Sequence, residues 1–241
     1  MNLIRPDFIE ELNAGRPDGG FVGSVLPSAV TVVEGAVSSD ADDLRPEEAA
    51  HVLNAVPKRR GEFATGRRFA HRALAMLQAP PGPLLVNDDR SPRWPPGVTG
   101  CITHTDRYCA VAVAPATEVA AIGIDVEDAT RFDHAILRQV LSRREIETHL
   151  LDHDPERQRQ RGATMFSAKE SLYKCLATVA SARLTFRDCA VELDRGPGVF
   201  RVELLTEAGP FGKGHRFTGR CAARNELVAT AIVLPSRGHG S

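Results

Sequence analysis

The chain has 241 residues, of which 42% are hydrophobic and 25% are charged, which suits one large or two small globular units and argues against a disordered protein. Its 30 Lys and Arg residues nearly balance its 31 Asp and Glu residues, so the formal net charge of −1 gives no reason to expect a nucleic-acid or membrane partner. Any anion-binding site must therefore come from a local cluster of basic residues.

The cysteines and the N-terminal sequence bear on the cellular compartment. The five cysteines form an odd set without a Cys-x-x-Cys pair, which favours reduced thiols over a disulfide framework or a zinc site. The polar start from Met1 to Asp7, broken by Pro6, does not resemble a signal peptide, and no apolar run reaches the length of a membrane span. We expect a soluble, cytoplasmic protein whose free thiols are Cys101, Cys109, Cys175, Cys189 and Cys221.

The first half of the chain predicts a strand, two helices and a short second strand. β-Branched residues from Ala29 to Val33 indicate the first strand, helical periodicity runs from Glu47 to Val56, and a second helical stretch covers residues 57–74. That second helix is the most basic part of the chain. Such a run is ordinarily a solvated helix face, and only an anionic ligand indicated elsewhere would make it a phosphate site. Leu84 to Val86 predicts the short strand.

An apolar strand that ends in carboxylates follows in the middle of the chain. The runs Tyr108 to Ala114 and Val119 to Val126 are separated only by residues 115–118, so they are predicted to form a β-hairpin. Asp125 and Glu127 lie on one face of the second run, about 6.6 Å apart along the strand, close enough for their oxygens to bind one cation. An isolated Asp-x-Glu pair is more often a solvated strand end, so a metal site requires further residues.

The second half predicts helices followed by antiparallel strands. Residues 132–141 indicate one helix, residues 142–145 have the pattern of a capping box for the next, and residues 163–176 form the strongest helical pattern of the chain. In that last helix Glu170 and Lys174 are four residues apart, which is also the ordinary spacing of a stabilising helix pair. The strands are predicted at residues 184–193, 199–205, 217–223 and 227–234.

Both halves share a pattern of a basic Arg-Arg segment, a helix led by phenylalanine, and then strands. The pattern is visible when Arg59 to Leu74 is compared with Arg143 to Leu176, although the identity is too low to prove a duplication. It predicts an α+β fold built as a pseudo-dimer of two similar lobes, residues 1–116 and 117–241. Because small-molecule sites favour clefts between lobes, we expect the acidic strand end to lie in a site at the lobe junction.

Five ordered motifs between residues 56 and 190 connect these features. The first half contributes Arg59-x-x-Glu62-Phe63-x-x-x-Arg67, Arg90-x-Pro92-x-Trp94-Pro95 and Gly100-Cys101-Ile102-Thr103-His104. The second half contributes Gly123-Ile124-Asp125-Val126-Glu127 and Phe166-Ser167-x-Lys169-Glu170-Ser171-x-x-Lys174. Together they resemble the 4′-phosphopantetheinyl transferases of the Sfp/EntD-like type, and five motifs in the same order are hard to obtain by chance.

This resemblance implies the two-lobed 4′-phosphopantetheinyl transferase fold and its reaction. The 4′-phosphopantetheine arm of coenzyme A would move to a serine of an apo acyl or peptidyl carrier protein, with release of 3′,5′-ADP. The resemblance also implies a Mg²⁺ ion, or Mn²⁺ in its place, in the 117–241 lobe, and coenzyme A phosphates bound by the 1–116 lobe. The implied metal ligands are Asp125, Glu127 and Glu170, the implied catalytic residues are Asp125, Glu170 and Lys174, and the implied coenzyme A contacts are Arg59, Arg67, Arg90, Thr103, His104 and Lys169.

The chemistry of this reaction suits these residue types. Attack of an alcohol on a pyrophosphate adds negative charge to oxygens that are already anionic, so a divalent ion and cationic side chains supply most of the catalysis. Mg²⁺ prefers oxygen ligands, and arginine forks suit a phosphate monoester. The sequence leaves open whether Glu170 is a base, a ligand or both, and whether Glu127 binds the ion directly or through water.

Two other functions fit part of the pattern. A Mg²⁺-dependent phosphodiesterase could use the same carboxylates with water as the nucleophile, but the arginines expected for the 3′-phosphate argue against it. A coenzyme A-binding protein without transfer activity is disfavoured because Asp125, Glu170 and Lys174 are all present. For the transferase we expect a monomer that serves carrier domains of fatty acid, polyketide, nonribosomal peptide or siderophore synthases, between which the sequence does not decide.

Overall fold

Two antiparallel β-sheets, each packed against one long helix, dominate the computed structural model, which describes residues 20–151, 154–180, 184–194, 196 and 198–236. The helices are α1 (Pro46–Ala49), α2 (Pro57–Met76), α3 (His134–Val140), α4 (Arg143–His149) and α5 (Pro155–Val179). The strands are β1 (Thr31–Ala36), β2 (Val98–His104), β3 (Tyr108–Pro115), β4 (Val119–Asp128), β5 (Cys189–Leu193), β6 (Val199–Leu204), β7 (Arg216–Arg224) and β8 (Leu227–Pro235). This mixture of helices and two sheets confirms the predicted α+β fold class.

The first sheet has the strand order β1-β3-β2, with both outer strands antiparallel to β3, and α2 packs across it. Phe69 and Ala73 of α2 share a buried apolar cluster with Val111 and Val113 of β3. The apolar side of this helix therefore faces the sheet. The helix predicted over residues 57–74 is confirmed.

Two elements predicted in the first half differ from the structure. The stretch from Glu47 to Val56 is divided into the short helix α1 and a 3-10 turn at Ala50–Val52. Leu84 to Val86 does not form a regular strand, and Val86 makes one isolated antiparallel bridge to Pro92. Because proline carries no backbone N–H, this bridge cannot continue as a regular ladder.

The second sheet has the strand order β4-β8-β7-β6-β5, and α5 lies across it. All four predicted C-terminal strands are present. The helix α5 begins earlier than predicted, because Pro155 occupies its first turn and the side chain of Asp154 caps two backbone amides. The polar segment 156–161 is therefore helical, and α4 begins with the predicted capping box at residues 142–145.

The predicted hairpin of β3 and β4 is wrong, because the two strands belong to different sheets. β3 is bonded to β1 on one edge and to β2 on the other, so it has no edge left for β4, which pairs with β8. β4 nevertheless contacts β2 through side chains. The amide of Ile124 donates to Cys101 Sγ at 3.4 Å, and the amide of Val126 donates to Thr103 Oγ1 at 3.1 Å. Side chains of the first sheet thus bond the backbone of the second.

A buried apolar cluster joins the two sheets. It contains residues from the segment before β1, from β2 and β3, and from β4 and β8, and Ala222 of β7 packs against it. Its members are Phe21, Val22, Val25, Leu26, Val30, Cys101, Ala110, Ala112, Ala114, Val119, Ile122, Ile124, Val126, Ala229, Ala231 and Val233. This shared core fixes β2 against β4. The division into lobes at residue 116 stays a prediction, and residues 1–19 and 237–241 of those lobes lie outside the described chain.

The described chain contains free cysteines and helices too polar or too short to span a membrane. All five cysteines are free in the structure, and Cys221 is the one that is partly exposed. Within the described ranges, no helix combines the length and the apolarity needed to cross a membrane.

Candidate active site

Close packing of α5 on β4 brings the two halves of the predicted site together. A Cβ atom at Gly123 would lie 1.9 Å from the carbonyl oxygen of Ser171 and 2.8 Å from the amide nitrogen of Cys175, so this approach requires glycine. The hydroxyl of Ser171 also bonds the hydroxyl of Thr230 in β8, with 2.7 Å between the oxygens. These contacts hold the polar face of α5 over the end of β4.

Asp125, at 4% exposure, is the most buried of the three predicted metal ligands. Its Oδ1 accepts hydrogen bonds from Lys174 Nζ at 2.6 Å and from Thr103 Oγ1 at 3.2 Å. Burial alone would lower the pKa of Lys174, but Asp125 raises it above its ordinary value, so the ammonium group stays charged. Asp125 Oδ2 is buried and has no hydrogen-bond partner within the described chain. An unpaired buried carboxylate oxygen is costly, and a cation would satisfy it.

The pKa values of Glu127 and Glu170 are both raised, and by the same two causes. Burial raises the pKa of Glu127 to about 8, and repulsion from Asp125 adds to the rise. Burial also raises the pKa of Glu170, again with Asp125 as the second cause. A divalent cation would relieve this mutual repulsion, and carboxylate oxygens are the ligands that Mg²⁺ takes, so the donor set fits the ion chemically. Among the described residues, no three acidic, His or Cys side chains converge into a preformed metal cage.

A second polar cluster lies where α2 meets the end of β2. Arg59 Nη1 donates to His104 Nε2 at 2.9 Å and lies 3.5 Å from Glu62 Oε2. Burial lowers the pKa of His104, and the charge of Arg59 lowers it further, so the ring accepts this bond in its neutral form. The side chain of Arg59 is 51% exposed, which leaves guanidinium donors available to a ligand.

Arg67 and Arg90, the other two arginines expected to bind phosphate, lie in surroundings that differ from those of Arg59. Arg67 is 5% exposed and stacks over the ring of Phe63, with its guanidinium carbon 4.2 Å from the ring centroid. Burial lowers the pKa of Arg67 to about 10, and its Nε has no partner among the described residues. Arg90 lies on an exposed turn with φ of 69°. Within the described chain, no hydrogen bond or ion pair joins Arg90 to Arg59 or His104.

Lys169, which the resemblance implied as a coenzyme A contact, bonds groups of its own chain in the structure. Lys169 is fully buried, and its ammonium group donates to Glu145 Oε2 at 3.1 Å and to the carbonyl oxygens of Val140 at 3.2 Å and Phe186 at 2.8 Å. An ammonium group has three donors, so none is left for a phosphate. Lys169 therefore ties α5 to α4 and to the segment before β5.

Three features of the site were not predicted from the sequence. Glu62 accepts from Arg59, and the i, i+3 spacing of the two residues on one helix was the available signal. Gly123 gives α5 its close approach to β4, which no local pattern shows. Thr103 was assigned to coenzyme A, yet its hydroxyl bonds Asp125.

Comparisons with known proteins agree on one family. Residues 47–114 match the model of the 4′-phosphopantetheinyl transferase N-terminal domain, and residues 121–227 match that of the 4′-phosphopantetheinyl transferase superfamily. The chain is 40% identical to the 4′-phosphopantetheinyl transferase Svp of Streptomyces mobaraensis, over 88% of this chain and 89% of that protein. It is 31% identical to the 4′-phosphopantetheinyl transferase PptT of Mycobacterium tuberculosis, over 90% of this chain and 99% of that protein.

Solved structures include a more distant match. The holo-[acyl-carrier-protein] synthase of Thermotoga maritima is 19% identical, with a TM-score of 0.37, over 49% of this chain and 65% of that chain. The family assignment rests on the two family models and on the curated relatives, which cover most of the chain. The chain therefore belongs to the 4′-phosphopantetheinyl transferase superfamily.

Proposed function

We propose that this chain transfers the 4′-phosphopantetheine group of coenzyme A to a serine of an apo carrier protein. The observation that carries the proposal is the buried carboxylate of Asp125, held at Oδ1 by Lys174 and unpaired at Oδ2, in a member of this superfamily. Glu127 and Glu170 complete the proposed site for Mg²⁺, for which Mn²⁺ would substitute. When bound, the ion would offset the negative charge of the pyrophosphate and the charge that develops during transfer.

The bonds that form and break in the transfer determine which roles the side chains must fill. The serine oxygen bonds to the phosphorus that carries the pantetheine arm, the bond from that phosphorus to the bridging oxygen breaks, and 3′,5′-ADP leaves. The serine proton needs an acceptor, and we propose Glu170 for this role beside its role as a ligand, because a carboxylate has a second oxygen that can take the proton while the first binds the ion. Lys174 holds Asp125 and keeps a positive charge beside the proposed phosphate position.

We propose Arg59 and His104 as the main contacts of the 3′-phosphate, with Arg67 and Arg90 as further candidates. The half-exposed guanidinium of Arg59 and its bond to the ring of His104 support this assignment. His104 is adjacent in sequence to Thr103, which bonds Asp125, so the end of β2 links the proposed phosphate side to the proposed metal side.

Substitution Arg59→Met should weaken the binding of 3′,5′-ADP by about tenfold or more, because a charge-assisted hydrogen bond to phosphate is lost. The affinity for 5′-AMP, which has no 3′-phosphate, should change little. Isothermal titration of both nucleotides measures the difference. Arg60→Met is the matched control, since Arg60 is the next residue on α2, is exposed, and carries the same charge. Equal losses for both nucleotides, or for both variants, would contradict the assignment of Arg59.

Removal of divalent ions should abolish transfer without unfolding the protein. After treatment with a chelator, transfer to a carrier should be undetectable and should return on addition of Mg²⁺ or Mn²⁺ but not of Ca²⁺ at the same concentration, because Mg²⁺ sites favour small octahedral ions. Circular dichroism monitors the fold in parallel. Full activity in the presence of the chelator would rule out the metal-dependent form of the proposal.

Measuring the release of 3′,5′-ADP distinguishes the transferase from the phosphodiesterase and from the coenzyme A-binding protein. The transferase should release 3′,5′-ADP from coenzyme A only when an apo carrier is present. Release without a carrier would favour a phosphodiesterase, and tight coenzyme A binding without release would favour a binding protein. Within the proposal we further expect a cytoplasmic monomer that acts on carrier domains of fatty acid, polyketide, nonribosomal peptide or siderophore synthases, and a panel of such carriers would identify its partner.

A further inference from the structure

The last residues of β2 face two different parts of the site. Ile102 and His104 point toward α2, because a Cβ atom added at Gly66 would lie 3.4 Å from Ile102 Cγ2 and because His104 bonds to Arg59. Cys101 and Thr103 point the other way, toward β4, where both bond backbone groups. This is the period-two alternation of a strand, so the two faces of β2 connect α2 to β4.

The hydroxyl of Thr103 has one available orientation. It accepts from the amide of Val126 at 3.1 Å, and Lys174 Nζ lies 3.4 Å away as a second donor. The hydroxyl proton is therefore directed to the remaining partner, Asp125 Oδ1, at 3.2 Å. Thr103 is 3% exposed, so water does not compete effectively for this bond.

We propose that Thr103 is a positioning residue for Asp125. Its hydroxyl and the ammonium group of Lys174 both bind Oδ1, which fixes the carboxylate and leaves the unpaired Oδ2 for a divalent ion. The inference rests on the proposed function and replaces the coenzyme A contact assigned to Thr103 by the resemblance. It also gives the first sheet a part in metal binding, although all three proposed ligands lie in the second half of the chain.

Three variants test this role. Thr103→Val keeps the shape of the side chain and removes the hydroxyl, whereas Thr103→Ser keeps the hydroxyl. The matched control is Thr99→Val on the same strand, because Thr99 is also buried and its hydroxyl has no partner among the described residues. For each variant, electron paramagnetic resonance measures the affinity for Mn²⁺ without coenzyme A, and a transfer assay gives kcat and the KM for coenzyme A.

Thr103→Val should weaken Mn²⁺ binding by about tenfold and lower kcat by a similar factor, which is the range found for groups that orient metal ligands. Its KM for coenzyme A should stay within about twofold, because in this account Thr103 does not touch the coenzyme. Thr103→Ser and Thr99→Val should both behave like the unmodified protein. If Thr103→Val does not fold, as judged by circular dichroism, Thr103→Ala provides the same comparison with Thr103→Ser.

Unchanged Mn²⁺ affinity in Thr103→Val together with a raised KM would overturn the inference and restore the coenzyme A contact. Failure of Thr103→Ser to retain Mn²⁺ affinity would also overturn it, since the hydroxyl would then not be the group that acts. These outcomes leave the proposed function intact. Conversely, an unmodified protein that binds Mn²⁺ but transfers nothing to any carrier would reject the proposed function, whatever the variants show.

Discussion

Substitution Asp125→Ala should lower the rate of phosphopantetheine transfer by on the order of 10³-fold or more, because it removes a proposed metal ligand and the partner of Lys174 at once. The side chain is 4% exposed, its Oδ1 holds Lys174 Nζ at 2.6 Å, and its Oδ2 is the buried unpaired oxygen of the site. Single-turnover transfer to an apo carrier at saturating coenzyme A measures the loss in the chemical step.

A more conservative variant separates the loss of charge from any loss of structure. Asp125→Asn keeps an oxygen that can accept from Thr103 and Lys174, so the variant should fold, but it removes the carboxylate charge that a divalent ion needs. Its Mn²⁺ affinity and its transfer rate should both fall strongly, while the binding of 3′,5′-ADP in the absence of metal should be nearly unchanged. A folded Asp125→Asn protein with full transfer activity would show that the metal assignment is wrong.

Substitution Lys169→Met should reduce the free energy of unfolding by about 3–5 kcal/mol, the usual effect of removing one partner of a buried ion pair. The ammonium group of Lys169 is fully buried on Glu145 and two backbone carbonyl oxygens. Methionine has a similar volume and no charge, so the carboxylate of Glu145 would be left buried without its cation. Denaturant unfolding measures the change.

A matched substitution and a binding measurement distinguish this structural role from a coenzyme contact. Lys58→Met makes the same chemical change on a residue whose ion pair with Asp106 is exposed on both sides, so it should alter stability little. The folded Lys169→Met protein should bind 3′,5′-ADP as tightly as the unmodified protein. A Lys169→Met protein of normal stability with weakened 3′,5′-ADP binding would instead support the phosphate contact implied by the resemblance.

Local sequence patterns predicted most of the regular structure because periodicity and capping are local effects. The basic helix over residues 57–74, the capping box at 142–145 and the four C-terminal strands all depend on neighbours in the chain, and all are present. Strand pairing depends instead on contacts between distant segments. The hairpin of β3 and β4 failed for this reason, since β1, from much earlier in the chain, occupies the edge that β4 would have used.

Contacts between individual side chains of the site were likewise not predictable from the local sequence. The motifs identified Asp125, Glu170 and Lys174, but not which atoms face each other. The contacts of Lys169 were not predicted, because burial of its ammonium group depends on Glu145 from another helix. The partner of Thr103 was missed because β2 and β4 meet through side chains without a backbone ladder, which neither strand's own pattern reveals.

These contacts give the acidic end of β4 a specific physical role. A lone Asp-x-Glu strand end would be solvated, whereas here Asp125 is enclosed by α5 above it and by β2 beside it. Enclosure raises the cost of an unpaired carboxylate and makes a cation the natural partner of Oδ2. In our proposal, coenzyme A then lies between this carboxylate cluster and Arg59.

The most direct test of the central claim is the intact mass of apo carrier proteins after incubation with the protein, coenzyme A and Mg²⁺. We predict that at least one carrier in a panel of acyl and peptidyl carriers gains the mass of one phosphopantetheine group on its serine, and that Asp125→Asn produces no such gain in the same time. No gain in mass on any carrier in the panel, with a known transferase modifying the same carriers in parallel, would contradict the proposed function.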